Sequence, residues 1–437
     1  MESHCRKEII EILHSEVKPA LGCTEPIAVA LAVAKACEEL SLLGVEVGKI
    51  KVEVSANILK NGMGVGIPGT GMVGLNVASA FASVCGKSAY GLEVLKDLCP
   101  KSVEKAKEML DGKMVEIALA NTTKKLYIAA YANGKGKSGE VHTTKCVVMD
   151  NHDSIVYVEA DGKVVIDNMP KEMKGEAAEI QDPRQALTLD RIYEFATTAL
   201  IDEIDFLYEA VELNRALADE GLKNEYGLQV GRTIMAKHNS DVFCDDMLCY
   251  CMAITAAASD ARMAGCVLPA MSNSGSGNQG ITVTLPVVAA SEKLASSREN
   301  LLRALAISHL VAIHIKSYLG KLSALCGCVI ASTGSSCGIV YLKGGSFQQI
   351  CYSVKNMIGN ITGMVCDGAK VGCAMKVASG VSSSVQSAML ALDDICISSN
   401  DGIIEDDIER TIRNLGRIGS VGMQKTDDMI LHIMVEK

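Results

Sequence analysis

VEIALANTTKKLYIAAYANGKGKSGEVHTTKCVVMDNHDSIVYVE, residues 115–159, holds four strand-like runs in succession. Val115 to Ala120, Leu126 to Ala132, Glu140 to Met149 and Ile155 to Glu159 carry the apolar and β-branched content of strands. Asn133-Gly134 and Asp161-Gly162 supply turn signals. Upstream, Val45, Val47, Ile50, Val52 and Val54 alternate in a further strand over Val45 to Ile58, and Val73 to Val84 and Ser102 to Leu110 have helical spacing. Before these lie two helical stretches, residues 4–17 and Ile27 to Leu40, broken by Pro19 and Gly22. Thr24 can cap the second, and Pro26 suits its first turn.

From about Pro170 the strand signal fades. Leu189 to Ala218, Tyr226 to Lys237, Asp245 to Met263, Ile281 to Ala290, Arg298 to Tyr318, Phe347 to Met364, Val385 to Ser398 and Ile404 to Asn414 all read as helical, while Leu322 to Gly338 is rich in Cys, Ser and Gly. Strands in one block and helices in the next make an α+β chain. The expected division is N-terminal helices over 1–44 packed on the catalytic domain, an α+β domain over 45–170, and a large helical domain over 171–437. The domain change falls near 165–180.

With 437 residues, 49% hydrophobic and 22% charged, the chain can bury a large core and is not disordered. A net charge of −10 excludes the basic face of a nucleic-acid binder, and 4% aromatics with no Trp leave little for base stacking. No run reaches the ~18 apolar residues of a membrane span. Met247 to Ala258 stops at Ser259-Asp260, and Ala304 to Leu319 contains His309, His314 and Lys316. The opening residues Glu2, His4, Arg6, Lys7 and Glu8 are not a signal peptide. Seventeen irregularly spaced cysteines fit a reducing cytosol better than an oxidising compartment. The size and apolar helices suggest a homodimer.

The chemistry-bearing residues begin with Cys366-Asp367-Gly368-Ala369-Lys370-Val371-Gly372-Cys373, two thiols around a small flexible segment. A third thiol, Cys326 in LSALCGC, lies about forty residues earlier. Three thiolates brought together can hold a soft metal, zinc included, or an iron–sulfur cluster. A cluster with three cysteines instead of four leaves one iron open as a Lewis acid. Cys326-Gly327-Cys328 is too tight for an ordinary two-thiol site, so one of that pair ligates. Cys328 and Cys337 are further nearby thiols.

Cys23, in EVKPALGCTEP (16–26), precedes a helix N-terminus, where the dipole favours a thiolate, while Glu25 pulls the other way unless it turns outward. Lys60 to Gly71 is glycine-rich but lacks Gly-Lys-Ser/Thr and GxGxxG, which argues against a nucleotide and for close backbone approach to a small ligand. On the strand Glu140-Val141-His142-Thr143-Thr144, His142 can donate a proton or bind a carboxylate; a surface histidine is the alternative. Ser272 to Gly280 is a Ser/Gly/Asn loop opening an apolar helix. Its N–H groups and hydroxyls form a cradle for a carboxylate, with a solvated loop as the alternative. Ser274, Gly275, Ser276, Gly277, Asn278, Gln279, Asn61 and Thr143 are the candidate substrate contacts.

EVKPALGCTEP (16–26), KNGMGVGIPGT (60–70), SGSGNQGITVTLP (274–286), LSALCG (322–327) and CDGAKVGC (366–373) together resemble the L-cysteine desulfidase family. That family is related to the catalytic α part of iron–sulfur-dependent L-serine dehydratases. The likeness spans about residues 10–400. It implies a [4Fe–4S] cluster on Cys326, Cys366 and Cys373, a functional thiol at Cys23, and a serine loop facing the amino acid. The expected reaction is β-elimination from L-cysteine to hydrogen sulfide, ammonia and pyruvate. The open iron would bind the substrate sulfur, the Cys23 thiolate would take the α-proton, and His142 would assist, with no need for pyridoxal phosphate. L-serine dehydration by the same cluster is the second reading. A non-catalytic iron–sulfur sensor or small-amino-acid binding protein is the third.

Overall fold

The computed structural model describes residues 3–169, 182–236, 239, 241–320 and 323–436. Most of the expected domain change, the Lys237 helix end and Leu322 lie outside the described residues. In the first half, α1 (Ser3–Glu16) and α2 (Thr24–Leu42) precede β1 (Lys49–Val54), α3 (Ala56–Gly62), α4 (Leu75–Cys85) and α5 (Pro100–Asp111). The strands β2 (Val115–Leu119), β3 (Tyr127–Lys135), β4 (Val141–Met149), β5 (Ile155–Ala160) and β6 (Lys163–Asp167) follow. They build one sheet in the order β2-β1-β3-β4-β5-β6. Only the β1–β2 pair is parallel, because α3 to α5 cross over between them; the rest are antiparallel neighbours.

One sheet face is apolar by alternation: Val52, Val54, Ile128, Ala130, Cys146, Val148 and Val158 point into a core closed by α2 and α4. The opposite face carries Tyr127, Tyr131 and Tyr157 around Ala129 and Val147, with the Lys145 ammonium 5.4 Å from the Tyr131 ring centre. The segment 1–44 is therefore divided. Ile9 and Leu13 of α1 enter the core of the helical half, whereas α2 covers the sheet. Its thirteen buried residues, mostly Ala, Val and Leu, let it lie close to β3 and β4.

Three local expectations change. The strand read over Val45 to Ile58 is a short strand and then a helix, with Ser55 at the helix N-cap and Ile58 buried inside α3. Asn133-Gly134 lies within β3, not at a turn. A Cβ at Gly134 would stand 2.0 Å from the Glu46 carbonyl, so this glycine permits close backbone approach. The hairpin reverses at Gly136 to Gly139 instead. Beyond Asp161-Gly162, both at positive φ, comes β6, which the sequence reading misses because Val164 and Val165 of this edge strand are exposed.

The second half contains α6 (Leu189–Thr198), α7 (Tyr208–Lys223), α8 (Met247–Met263), α9 (Gly277–Lys293), α10 (Arg298–Leu319), α11 (Gly327–Leu342), α12 (Phe347–Ile361), α13 (Cys373–Leu392), α14 (Ile408–Arg417) and α15 (Gln424–Val435), with shorter turns between. The chain is thus α+β. The single helix expected over Leu189 to Ala218 is broken at Ala199 and Leu200. Helix α11 is central and packs on α9, α10, α12 and α13. Its small residues allow this: a Cβ at Gly334 would sit 2.3 Å from the Ser308 carbonyl. Among the described residues no helix is long and apolar enough to cross a membrane.

Asp260, fully buried on α8, sets a pH test of this core. Burial pushes its carboxyl from 3.8 up to about 6, although the N–H groups of Gly231, Val230 and Leu228 pull it down. The folded state then holds the proton more tightly than the unfolded chain. Stability is lost as pH rises from 3.8 through about 6 and stays lost above it. That interval is worth at most about 3 kcal/mol. Asp260→Asn is expected to melt at a higher temperature than the parent at pH 7.5, with the gap closing by about pH 4. An equal gap at both pH values in thermal denaturation would contradict this account.

Candidate active site

Four helices begin at one cleft. Cys23 is the N-cap of α2, Ser276 of α9 and Cys326 of α11, while Cys373 is the first residue of α13. Each of three starts follows a sharp turn: Gly22, Ser274-Gly275 and Gly368 all have positive φ. Only Ser276 closes its helix with its own side chain, accepting the Gln279 N–H at 3.3 Å. The four N-termini bring their positive dipole ends to the same cleft, which favours anions there.

Two distant segments are stitched together by main chain. Cys326 N donates to the Met364 carbonyl at 3.0 Å, and Cys366 N to the Ala324 carbonyl at 2.7 Å, flanking a Leu325–Val365 bridge. The Cys326 thiol is thereby brought beside Cys366. Its neighbourhood, with help from Lys60, the Gly368 N–H and Lys376, holds the Cys366 thiol below the usual thiol range, and Cys326 is pushed up in turn. Cys373 follows on α13, its Sγ 3.7 Å from the Gly368 carbonyl. The three thiols come from these two segments and line one inner chamber of about 130 Å³.

Cys328 lines the same chamber, but its Sγ donates to the Lys376 carbonyl at 3.1 Å and burial pushes it up to about 12. Cys337 lies in the helical core, 3.7 Å from the Ser353 hydroxyl, and is not part of the lining. Among the described residues no three His, Cys, Asp or Glu side chains are placed to hold one metal ion. A cluster asks for a different arrangement, because each thiolate ligates a separate iron. The donor set fits it: three soft thiols around a chamber, with buried cations and helix N-termini to balance a cluster's negative charge. Arg262 is one such cation, 5% exposed and without a carboxylate partner among the described residues. Its guanidinium donates to the Gly22 carbonyl at 2.8 Å and to Asn278 Oδ1 at 3.3 Å. Lys60 pairs with Asp427, and Lys370 and Lys376 share Asp367.

At Cys23, burial works against the expected thiolate. Cys23 is 3% exposed, packed with Val65, Met263 and Cys373, and burial pushes its thiol up to about 11 against the pull of Arg262. Desolvation outweighs the helix end. Glu25 does not turn outward either. Its Oε1 accepts from Asn61 Nδ2 at 3.1 Å and its Oε2 from the Thr24 hydroxyl at 3.2 Å, so the carboxylate stays on the cleft wall.

The serine loop is held from beneath by a buried relay. Asn273 Oδ1 accepts from Gln279 Nε2 at 2.8 Å and from the Ser274 hydroxyl at 3.0 Å. Asn273 Nδ2 in turn faces His309 Nδ1 at 3.1 Å. Burial pushes His309 down to about 3, so the imidazole is neutral; Nδ1 accepts and Nε2–H donates to Thr284 Oγ1 at 3.2 Å. Gln279 Oε1 is buried with no partner among the described residues. Gly275, Ser276, Asn278 and Gln279 line the inner chamber. Gly277 packs against Arg262, where a Cβ would lie 2.2 Å from Nε.

An outer chamber of about 410 Å³ adjoins the inner one. Ser274, Asn61, Glu25 and Cys366 belong to its wall, together with His152 and Lys316. His142 and Thr143 are not brought here. His142 Nδ1 bonds Asp161 at 2.6 Å and Nε2 bonds Glu140 at 3.3 Å, and the Thr143 N–H donates to Asp161. Both sit at the start of β4. The turn after its other end, Asn151-His152-Asp153, reaches the outer chamber. The sequence reading misses His152, Arg262, Lys316 and Lys376. Arg262 and Lys316 have a legible signal, a charge inside an otherwise apolar helix; His152 on a polar turn has none.

The three thiols, the serine loop and the surrounding cations thus meet in one cleft sized for a small molecule. The chain belongs to the serine dehydratase alpha chain family, whose model matches residues 89–432. A UPF0597 protein of Parabacteroides distasonis is 49% identical over 438 residues, 100% of both chains. One of Oleidesulfovibrio alaskensis is 50% identical over 428 residues, 98% of this chain and 97% of its own. One of Porphyromonas gingivalis is 44% identical over 440 residues, again 100% of each. The kinship with serine dehydratase alpha chains expected from the five motifs therefore holds.

Proposed function

We propose that this protein carries out β-elimination of L-cysteine, giving hydrogen sulfide, ammonia and pyruvate. Cys326, Cys366 and Cys373 would hold a [4Fe–4S] cluster, with no pyridoxal phosphate. The observation that carries this reading is the meeting of those thiols with the serine loop on one cleft. When bound, the cluster supplies a Lewis-acidic iron for the β-substituent. The chain's own residues do the rest. The Ser274 to Gln279 loop, seated on Asn273 and neutral His309, orients the amino acid. Glu25, fixed by Asn61 and Thr24, faces the substrate ammonium. His152 is the imidazole on the outer chamber and is assigned the α-proton, in place of His142 and Cys23. Aminoacrylate then leaves and hydrolyses to pyruvate and ammonia. All 17 cysteines are free thiols, which supports a cytoplasmic setting.

L-serine dehydration is the second reading, favoured by the description of the matching family model. Protein reconstituted anaerobically with iron and sulfide separates them. The first reading expects faster pyruvate from L-cysteine, with equal sulfide release. Faster pyruvate from L-serine defeats it. Tight binding of both amino acids with no product would favour a binding protein.

A further inference from the structure

Lys316 lies three residues from the C-terminal end of α10, in a run that is buried from Ala304 to Ser317. It is 9% exposed, and it borders the outer chamber beside Ser274, Ser276, Gln279 and Cys366. Among the described residues its ammonium has no hydrogen-bond acceptor and no carboxylate partner. The other cations lining the two chambers are satisfied differently. Lys376 has Asp367, Arg184 bridges Asp182 and Glu16, Arg262 donates to the Gly22 carbonyl and Asn278 Oδ1, and Lys18 is exposed to solvent. Around Lys316, Arg184 and Lys125 add positive charge and the thiols of Cys366 and Cys326 oppose it, while Glu16, Glu25 and Asp153 stand elsewhere on the chamber wall without an ion pair to Lys316. In the proposed function those thiols give their charge to iron.

An ammonium on a buried side chain that opens onto a chamber and has no protein partner is completed by a ligand's negative charge. The ligand must bring an anionic oxygen into a chamber whose wall also presents the Glu25 carboxylate. That pair of opposite charges matches a zwitterion. We propose that Lys316 anchors the substrate's α-carboxylate, so that the outer chamber selects a free α-amino acid over its amide, ester or peptide. This rests on the reading of the cleft as an amino-acid lyase site and names its recognition element.

The test compares binding of L-serine and L-serinamide to the full-length, anaerobically reconstituted protein by calorimetry, alongside steady-state kinetics. The parent is expected to prefer the free acid. In Lys316→Met that preference should collapse, with L-serine affinity falling about 30-fold or more while L-serinamide changes little, because only the acid loses its charge partner. KM should rise far more than kcat falls, iron content should be unchanged, and Lys316→Arg should recover part of the preference. Removing an uncompensated buried charge should leave the melting temperature equal or higher. If the methionine variant does not fold, Lys316→Gln carries the same comparison. A variant that folds, holds its iron and still prefers the acid as the parent does overturns the anchor and leaves the lyase reading intact. An iron-loaded parent that binds neither ligand and forms no product overturns both.

Discussion

Cys366→Ser is expected to abolish iron and acid-labile sulfide retention after anaerobic reconstitution. Product formation should fall by more than the ~10–100-fold that loss of an outer-shell partner costs. Cys366 is the thiol on which the arrangement turns. The neighbouring Cys326 thiol, Lys60 and Lys376 hold its own thiol below the usual range, and its backbone N–H ties the segment to Ala324. Serine offers a harder oxygen that does not replace a thiolate on iron. Cys326→Ser and Cys373→Ser should follow it. Cys328→Ser is the contrast, since a serine hydroxyl can keep the bond to the Lys376 carbonyl at no loss of a ligand. Iron and sulfide analysis of the four variants tests the set. Loss of iron in the Cys328 variant with retention in the Cys373 variant would redraw it.

The second large effect is expected at Gly368. Its φ is +93°, and a Cβ there would lie 2.2 Å from the Lys60 carbonyl. Alanine would meet both the ~1–2 kcal/mol conformational cost of a left-handed residue and a backbone clash that flexible side chains cannot relieve. We expect Gly368→Ala to destabilise by about 3 kcal/mol or more, which marks a specific steric mechanism. It should also lower iron retention, because the turn carries Cys366 past α3. Gly372, four residues on, has φ −62° and open space, with only the Lys370 side chain near at 3.7 Å. Gly372→Ala should melt close to the parent. Similar melting temperatures for the two variants would show that the close packing of 366–373 on Lys60 is not what holds the turn.

How far the sequence is legible follows from the range of each signal. The strands at 127–135, 141–149 and 155–160 are readable because alternation is local and one face is buried, the face that carries Cys146, Val148 and Val158. Edge strand β6 is not, since nothing buries Val164 and Val165. The three thiols and the serine loop are legible as motifs, and the cleft gathers them. His142 draws the eye before His152 because a histidine on a strand stands out more than one on a polar turn. Which end of β4 reaches the cleft is decided by packing between the sheet and the helical half, which no window on the chain reports.

Composition, periodicity and motif spacing determined by themselves that this is an α+β protein with a sulfur-rich site and a Ser/Gly/Asn cradle, because these depend on residues close in sequence. Tertiary structure alone decided the burial of Cys23, the main-chain pairing of the Cys326 and Cys366 segments, and the presence of Arg262 and Lys316 as buried cations on the site. Charge state depends on desolvation and on neighbours that arrive from hundreds of residues away, and only the folded chain supplies both.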